Sequence, residues 1–184
     1  MSVIVTQFIT LDGIVSDPDG RDGTTGGGWA FRHGPQAIAG DPFRVGEVLE
    51  NGVLLLGRNT WRHFSAIWPG RDDPFSQRMN AAAKLVASRT LTDASAWENS
   101  AVTDDAIDAV KRDQRDVVIM GSLRIVQGLI TEDLVDEYRL MTFPTILGTG
   151  EPLFPAGGPP AHLECVSAEQ SGPAVVARYR RAAP

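Results

Sequence analysis

Three turns in this sequence carry residue types that could bind phosphate, and each follows a segment predicted to be a strand. The predicted strands at 53–56, 84–87 and 117–120 run into Gly57-Arg58-Asn59-Thr60, Ser88-Arg89-Thr90 and Gly121-Ser122-Leu123-Arg124. In open α/β sheets, ligands bind outside the carboxyl ends of the strands, where helix N-termini present free backbone N–H groups. Glycine lets the backbone approach a phosphate, hydroxyls add donors, and arginine offers a planar pair of donors. Together the turns predict a site for a polyphosphate ligand.

The charge distribution points to the same part of the chain. Residues 57–90 contain six basic and two acidic residues, a net charge of +4, whereas the whole chain carries −6. Local positive charge in an acidic protein suits recognition of a small anion, although a solvated, salt-bridged face would have the same composition. Neither G-x-G-x-x-G nor G-x-x-x-x-G-K occurs, so the common dinucleotide and P-loop fingerprints do not explain the site.

Length and composition bound the class of protein. With 184 residues, of which 42% are apolar and 22% charged, we expect one globular domain over 1–184. The negative net charge disfavours nucleic acid or an anionic membrane as partner. Cys165 is the single cysteine, and no Cys/His cluster has zinc-site spacing, so we expect no metal and a reducing, cytoplasmic setting. No signal peptide or membrane-spanning stretch is predicted.

Strands and helices alternate through most of the chain. We predict a first strand at 3–10, a glycine-rich loop at 11–34 that either covers a site or is a disordered excursion, and a weak strand at 95–102. A first predicted helix runs from Pro35 to about Asn51, with a break near 40–42, and a second, short helix starts at Asn59. Three more are predicted at 75–82, at 103–113 with Thr103 as a cap, and at 122–130. Strands at 135–143, 161–169 and 173–181 close the chain, the last two as a hairpin. The pattern predicts an α/β fold with a mixed, mostly parallel sheet and helices on both faces.

Four motifs, in order along nearly the whole chain, resemble the dihydrofolate reductase-like family. They are Thr10-Leu11-Asp12-Gly13, Leu56-Gly57-Arg58-Asn59-Thr60-Trp61, Ile119-Met120-Gly121-Ser122 and Ile146-Leu147-Gly148-Thr149-Gly150-Glu151-Pro152-Leu153-Phe154. The branch they resemble most is the C-terminal reductase domain of the riboflavin-biosynthesis protein RibD. The resemblance implies a mixed sheet of about eight strands that binds NADPH.

The same resemblance assigns the three turns to parts of the cofactor. It implies that Gly57, Arg58 and Thr60 hold cofactor phosphate. It implies that Ser88, Arg89 and Thr90 face the adenosine 2′-phosphate, and that Gly121, Ser122 and Leu123 take the pyrophosphate side. Dihydrofolate reductases usually have paired glycines where this chain has Gly121-Ser122, so the close approach there is expected to differ.

Candidate residues for substrate chemistry are fewer. Asp12 could orient substrate or deliver a proton, or it could be the aspartate of an Asp-Gly turn. By resemblance, Asp41 could support protonation of a pterin ring, although Asp41-Pro42 is equally typical of a helix cap. Glu151 is a further candidate, with a plain surface carboxylate as its alternative. Trp29 and Phe31 could stack on a planar heterocycle as part of a lid, or pack against the core.

From this resemblance we expect an NADPH-dependent oxidoreductase acting on a small planar nitrogen heterocycle, similar to the phosphoribosylamino-uracil reductase of riboflavin biosynthesis. A dihydrofolate reductase-type pterin reductase and a non-catalytic NADP(H)-binding module remain alternatives. Trp61, Phe64, Ile67 and Trp68 have mostly helical spacing and are most simply core or interface residues. Such an apolar face is compatible with a homodimer.

Overall fold

Eight strands form one mixed sheet. The computed structural model describes residues 1–182, and its strands are β1 (Val3–Thr10), β2 (Val53–Gly57), β3 (Ala83–Ala87), β4 (Ser100–Thr103), β5 (Val117–Ile119), β6 (Glu137–Phe143), β7 (Leu163–Ser171) and β8 (Ala174–Arg181). Their order across the sheet is β4-β3-β2-β5-β1-β6-β8-β7. Strands β1 to β6 are parallel, whereas β8 pairs antiparallel with β6 and β7 with β8. The predicted α/β sheet with a C-terminal antiparallel hairpin is confirmed.

Five α-helices lie between these strands. They are α1 (Gly46–Leu49), α2 (Arg58–Ser65), α3 (Pro74–Ala81), α4 (Ala106–Arg112) and α5 (Leu123–Thr131), and two short 3-10 helices cover Phe31–His33 and Pro35–Ile38. None of the helices within residues 1–182 is long and apolar enough to cross a membrane.

Two apolar clusters cover opposite faces of the sheet. Strand β2 is buried along its whole length, and its alternate residues contribute to different clusters because successive strand side chains point to opposite faces. Leu54 and Leu56 pack in the cluster that contains Trp61 of α2 and Met79 of α3. Val53 and Leu55 belong to the other, together with residues of α4 and α5 such as Val110, Val126 and Leu129. Helices therefore lie on both faces, as predicted.

The stretch from 35 to 51 is less helical than predicted. Only the 3-10 turn at Pro35–Ile38 and the four-residue α1 form there. Gly40 and Arg44 both have positive φ, at 73° and 52°, values that interrupt a right-handed helix. The Arg44 carbonyl is instead used by Arg139 on β6, whose Nη1 donates to it at 2.6 Å. A tertiary contact that has no local signal thus replaces the predicted helix.

Two further boundaries differ from the prediction. The weak strand expected at 95–102 is the short β4, which starts only at Ser100. Thr103 is the last residue of β4 and does not cap α4. Asp105 is the cap, because its carboxylate accepts hydrogen bonds from the backbone N–H groups of Ile107 and Asp108 at 2.9 and 3.0 Å. A carboxylate at this position also opposes the positive end of the helix dipole.

The glycine-rich loop at 11–34 is folded around one buried aspartate. Asp17 accepts hydrogen bonds from the backbone N–H groups of Asp22 and Thr24, both at 2.9 Å, and from the Thr24 hydroxyl at 2.8 Å. A Cβ added at Gly27 would lie 2.2 Å from the Asp17 carboxylate, so a residue without a side chain is required there. Of the two alternatives for this loop, the disordered excursion is wrong.

Candidate functional site

The three phosphate-binding turns lie side by side at one edge of the sheet. They follow β3, β2 and β5, which are adjacent in the sheet and parallel. In the strand register, Gly57 is opposite Ala87, and Leu55 is opposite Ile119. The carboxyl ends of these strands, and the turns after them, therefore share one edge, which is the position at which α/β sheets bind ligands.

The turn after β2 contacts the turn after β5 directly. The backbone N–H of Gly57 donates to the Gly121 carbonyl at 3.2 Å. A Cβ at Gly57 would lie 2.8 Å from Ser122 Oγ, and one at Gly121 would lie 3.1 Å from Thr60 Oγ1. Both glycines are therefore needed for the close approach of the two turns, and Gly121 also has a φ of 129° that other residues rarely adopt.

The turn after β3 joins the same surface. The guanidinium of Arg58 donates a hydrogen bond to the Thr90 hydroxyl. Ser88 shapes the turn, since its hydroxyl accepts from the backbone N–H groups of Thr90 at 3.2 Å and Leu91 at 2.9 Å. Arg89 is exposed and forms no ion pair with any described residue. Its charge is therefore available to a ligand.

The two α-helices that start at this edge differ in capping from α3 and α4. Helices α2 and α5, which start at the Gly57 and Ser122 turns, have no side-chain cap. Helices α3 and α4 start elsewhere and are capped by Asp73 and Asp105. The first N–H groups of a helix have no partner within it, so an uncapped N-terminus offers donors and a positive dipole end to an anion.

Only part of the positive segment 57–90 lies at this edge. Lys84 is buried, and its Nζ donates to the carbonyls of Asn80, Ala82 and Glu98 at 2.9, 2.7 and 3.0 Å. Burial lowers its pKa to about 8. Arg78 pairs with Glu50 at 3.5 Å, and Arg71 lies 5.3 Å from the ring centre of Trp68. The net charge of the segment therefore overstates the charge on the turns, because Arg58 and Arg89 are its only basic residues that belong to them.

Asp12 connects the end of β1 to the loop between β6 and β7 (residues 144–162), which we call the late loop. Its carboxylate accepts from the Thr10 hydroxyl at 2.6 Å and from the backbone N–H groups of Leu147 and Gly148 at 3.1 and 2.7 Å. The hydrogen bonds from Thr10 and then Gly148 hold the pKa of Asp12 below its usual value. Asp12 is therefore ionised at neutral pH, when it can accept hydrogen bonds and attract cations but has no proton to give.

Asp41 supports the start of α1. Its Oδ1 accepts from the Val45 N–H at 2.9 Å, and its Oδ2 accepts from the Gly46 N–H at 2.7 Å. The prediction that Asp41 is the N-cap of a helix starting at Pro42 is wrong, because α1 begins at Gly46 and its N-cap residue is Val45. Asp41 instead supports the turn before α1, and both of its oxygens are occupied by backbone donors.

Trp29 and Phe31, predicted as a pair, have different environments. Trp29 has no exposed surface, donates from Nε1 to the Ser16 carbonyl at 3.0 Å, and packs edge-to-face on Phe143. Its side chain cannot reach a ligand in this structure, so the stacking role predicted for Trp29 is wrong and the packing alternative fits. Phe31 is 48% exposed and remains available.

The glycine-rich loop and the late loop enclose a pocket beside the ends of β1 and β6. It has a volume of about 370 Å³, and its lining includes Thr24, Gly26, Leu147 and Glu151. Glu151 is exposed, and its backbone N–H donates to Ser16 Oγ at 3.0 Å. The residues of the three turns do not line this pocket. Ser16 was not predicted as a site residue, because a lone serine in a polar loop gives no sequence signal.

His63 of α2 links the glycine-rich loop to the helix that starts at Gly57. Its Nε2 lies 3.6 Å from the Asp19 carboxylate, and Arg21 contacts its Nδ1. Burial and then the charge of Arg21 lower the pKa of His63, so the ring is neutral at physiological pH. The contact is a structural one between loop and helix.

The fold and this edge define a class: an α/β protein with a mixed sheet, three adjacent glycine- and hydroxyl-bearing turns, and two uncapped helix N-termini beside them. The chain belongs to the RibD C-terminal domain family, whose sequence model matches residues 1–177. This confirms the resemblance found in the motifs.

Individual relatives are distant. The uncharacterized protein YyaP of Bacillus subtilis (strain 168) is 25% identical over 162 residues, which cover 83% of this chain and 79% of YyaP. A Shewanella sp. PV-4 crystal structure, named provisionally as a riboflavin biosynthesis protein, matches with a TM-score of 0.73, 22% identity and full coverage of both chains. A pyrimidine reductase-like protein from Corynebacterium diphtheriae matches with a TM-score of 0.59 and 13% identity, covering all of this chain and 92% of its own. At these identities the solved structures support the fold.

Proposed function

We propose that this protein is an NADPH-dependent reductase of a planar nitrogen heterocycle, of the aminouracil type. Membership of the RibD C-terminal domain family supports a reductase, and one structural neighbour is named as pyrimidine reductase-like. The observation that carries the proposal is the contact of the three turns: Gly57 with Gly121 and Arg58 with Thr90.

The residues at this edge fit a doubly phosphorylated dinucleotide. Gly57, Arg58 and Thr60, together with the uncapped start of α2, would hold cofactor phosphate, and Gly121, Ser122 and Leu123 at the start of α5 would take the pyrophosphate side. Ser88, Arg89 and Thr90 would meet the 2′-phosphate, since Arg89 is exposed and without an ion pair among described residues. When bound, NADPH supplies a hydride to an electron-poor carbon of the substrate.

The remaining protein groups position the substrate. Asp12 holds the late loop against the end of β1 through Leu147 and Gly148. Asp12 is ionised and has no proton to donate, and both oxygens of Asp41 already accept backbone N–H groups, from Val45 and Gly46. We therefore assign the proton that accompanies the hydride to water. The pterin-reductase alternative loses support, because it needs a carboxylate at the ring and the Asp41 carboxylate is occupied by these backbone donors.

The engagement of both carboxylates favours one alternative, a module that binds NADP(H) without turnover. A titration followed by an assay separates the two. Binding is measured by quenching of tryptophan fluorescence with NADPH and NADH, and turnover by loss of reduced-nicotinamide absorbance with a phosphoribosylamino-uracil and a dihydropterin. Consumption of NADPH with the aminouracil supports the proposal. Binding without consumption supports the module, and absence of binding refutes both.

A further inference from the structure

A buried glutamate on β6 is surrounded by three arginines. Glu137 and Arg139 lie on β6, and Arg180 and Arg178 are their register partners on β8, so all four side chains share one face of the sheet. Glu137 Oε1 accepts from Arg139 Nε at 2.6 Å and from Arg178 Nη2 at 3.0 Å, and Oε2 accepts from Arg180 Nη2 at 2.9 Å. We call these four residues the β6–β8 arginine cluster.

The cluster has an excess of positive charge. Three guanidinium groups surround one carboxylate, which leaves a net charge of +2. Burial raises the pKa of Glu137, but hydrogen bonds from Arg139 and Arg180 outweigh burial and lower it overall, so the carboxylate is ionised. Two other carboxylates lie on β7, which pairs with β8. Glu169 forms an ion pair with Arg44 at 2.6 Å, and Glu164 is the register partner of Arg180 but forms no ion pair with it. The described residues therefore leave the excess uncompensated.

The arginine side chains are held in place, and their exposure ranges from nearly none to more than half. The side chains of Glu137 and Arg139 are 4% and 5% exposed, that of Arg178 is 26% exposed, and that of Arg180 is 57% exposed. Arg139 is fixed further, because its Nη1 donates to the carbonyls of Phe43 and Arg44 at 2.8 and 2.6 Å. Groups that are already ordered lose little entropy when a ligand binds.

Two of the arginines keep donor groups that have no partner among the described residues. Arg178 and Arg180 both use Nε and Nη2 on Glu137, and their Nη1 groups have no partner among the described residues. Residues two apart on a strand are about 7 Å apart on the same face. That spacing lets two guanidinium groups contact one tetrahedral oxyanion, and arginine forks match phosphate oxygens in geometry and charge.

We propose that the β6–β8 arginine cluster is a second anion site, which binds a phosphate dianion as free phosphate or as the phosphoryl group of a small molecule. The site is separate from the strand-end turns, because Glu137 is the first residue of β6 and the turns lie at the carboxyl edge of the sheet. The length of β6 alone separates the two edges by about 20 Å.

Thermal unfolding of the full chain tests this assignment. Phosphate at about ten times its Kd should raise the Tm of the wild type by about 3–6 °C. Arg180→Gln should lose at least half of that shift, because Arg139 and Arg178 still neutralise Glu137 while one of the two unpartnered Nη1 groups is gone. Arg180→Lys, which keeps the charge and removes the fork, should lose part of it. Arg89→Gln, at the strand-end turns, is the matched control and should keep the second-site shift.

Further measurements identify the ligand and define the results that would overturn the proposal. Sodium chloride at equal ionic strength should give no shift, and glycerol phosphate should reproduce the effect if a phosphoryl ester is the ligand. The proposal is overturned if phosphate does not stabilise the wild type. It is also overturned if the Tm shift survives in both Arg180→Gln and Arg180→Lys, which would indicate an adventitious ion only. Loss of the shift in Arg89→Gln alone would place the phosphate at the turns and also overturn it. None of these results depends on whether NADPH binds or is consumed.

Discussion

The guanidinium of Arg58 donates a hydrogen bond to the hydroxyl of Thr90, and this contact joins the turn after β2 to the turn after β3. The two strands are parallel neighbours, so the contact lies at the carboxyl edge of the sheet. A ligand that meets Arg58 must also lie close to the Ser88-Arg89-Thr90 turn. The division of the cofactor between these turns is what the first prediction tests.

Replacing Arg89 with alanine should weaken NADPH much more than NADH. Arg89 is exposed and unpaired among the described residues, so its removal costs one charge-assisted interaction with the 2′-phosphate and leaves the rest of the edge intact. We expect the Kd for NADPH to rise about 10- to 100-fold and the Kd for NADH to change by less than about threefold. Arg112→Ala on α4, an exposed arginine far along the chain, is the control for a general charge effect. Equal weakening of both coenzymes would remove the assignment of this turn to the 2′-phosphate.

Replacing Gly57 with alanine should destabilise the fold through one contact. The new Cβ would lie 2.8 Å from Ser122 Oγ and 3.0 Å from Ser122 Cβ. Overpacking of this kind typically costs about 1–3 kcal/mol. Urea unfolding should show a lower midpoint for Gly57→Ala and partial recovery in Gly57→Ala/Ser122→Gly, which removes the opposing side chain. Gly70→Ala, where nothing lies within 4 Å, is the control and should unfold like the wild type. A double variant no more stable than Gly57→Ala would show that the contact is not the cause.

The features that could be predicted from the sequence are those with a local signal. Strand β1 was predicted at 3–10 because a dense run of β-branched and aromatic residues ends at an Asp-Gly turn, and the structure has Val3–Thr10. The turns after β2, β3 and β5 were found because glycine, hydroxyl and arginine residues directly follow apolar runs. Their adjacency depends on the order of the strands in the sheet, which no local pattern in the sequence indicates.

The features that were missed depend on contacts between distant residues. Arg178 and Arg180 reach Glu137 across 41 and 43 residues of chain, and neither strand alone indicates a buried carboxylate. Lys84 was counted with the surface charges because its burial depends on carbonyls of α3 and of the segment before β4. Asp17 was missed because its partners Asp22 and Thr24 look like ordinary loop residues. In each case, the geometry and not the composition decides what the charged group does.

Replacing Asp12 with asparagine should slow turnover with little change in cofactor affinity. The amide oxygen can still accept from Leu147 and Gly148, and the amide N–H₂ can donate to Thr10, so the late loop keeps its anchor while the negative charge is lost. If that charge orients substrate, kcat should fall about 10- to 100-fold while the Kd for NADPH stays within about twofold. Asp12→Ala, which removes the anchor as well, should also raise the substrate KM. Unchanged kcat in Asp12→Asn would leave Asp12 as a turn residue.

Replacing Asp17 with asparagine should increase the population in which the glycine-rich loop is open. Each Asp17 oxygen accepts a backbone N–H, from Asp22 and from Thr24, so an amide would place its N–H₂ group against one of these donors. An unsatisfied donor in a buried position costs about 1–3 kcal/mol, which corresponds to about 5- to 160-fold more of the open loop. Limited trypsin digestion should show faster cleavage after Arg21, with the exposed Asp22→Asn as control. Equal cleavage rates in the two variants would mean that Asp17 does not hold the loop.

The stabilising effect of Glu137 should disappear at low pH. Its pKa in the folded protein is below the ordinary glutamate value of 4.5, so the stabilisation it provides is complete above that value and is lost as the pH falls through the folded pKa. At neutral pH, Glu137→Gln should lower the free energy of unfolding by about 3–5 kcal/mol, because it leaves the buried guanidinium of Arg139 without its partner.

Urea unfolding at a series of pH values measures that difference directly. The gap between wild type and Glu137→Gln should be constant from neutral pH down to about pH 5 and should narrow below it as the wild-type carboxylate takes up a proton. Glu164→Gln, an exposed carboxylate opposite Arg180 on β7, should differ little from the wild type throughout. A gap that persists unchanged at the lowest pH would show that Glu137 acts through packing, because a charge effect must vanish once the carboxylate is neutral.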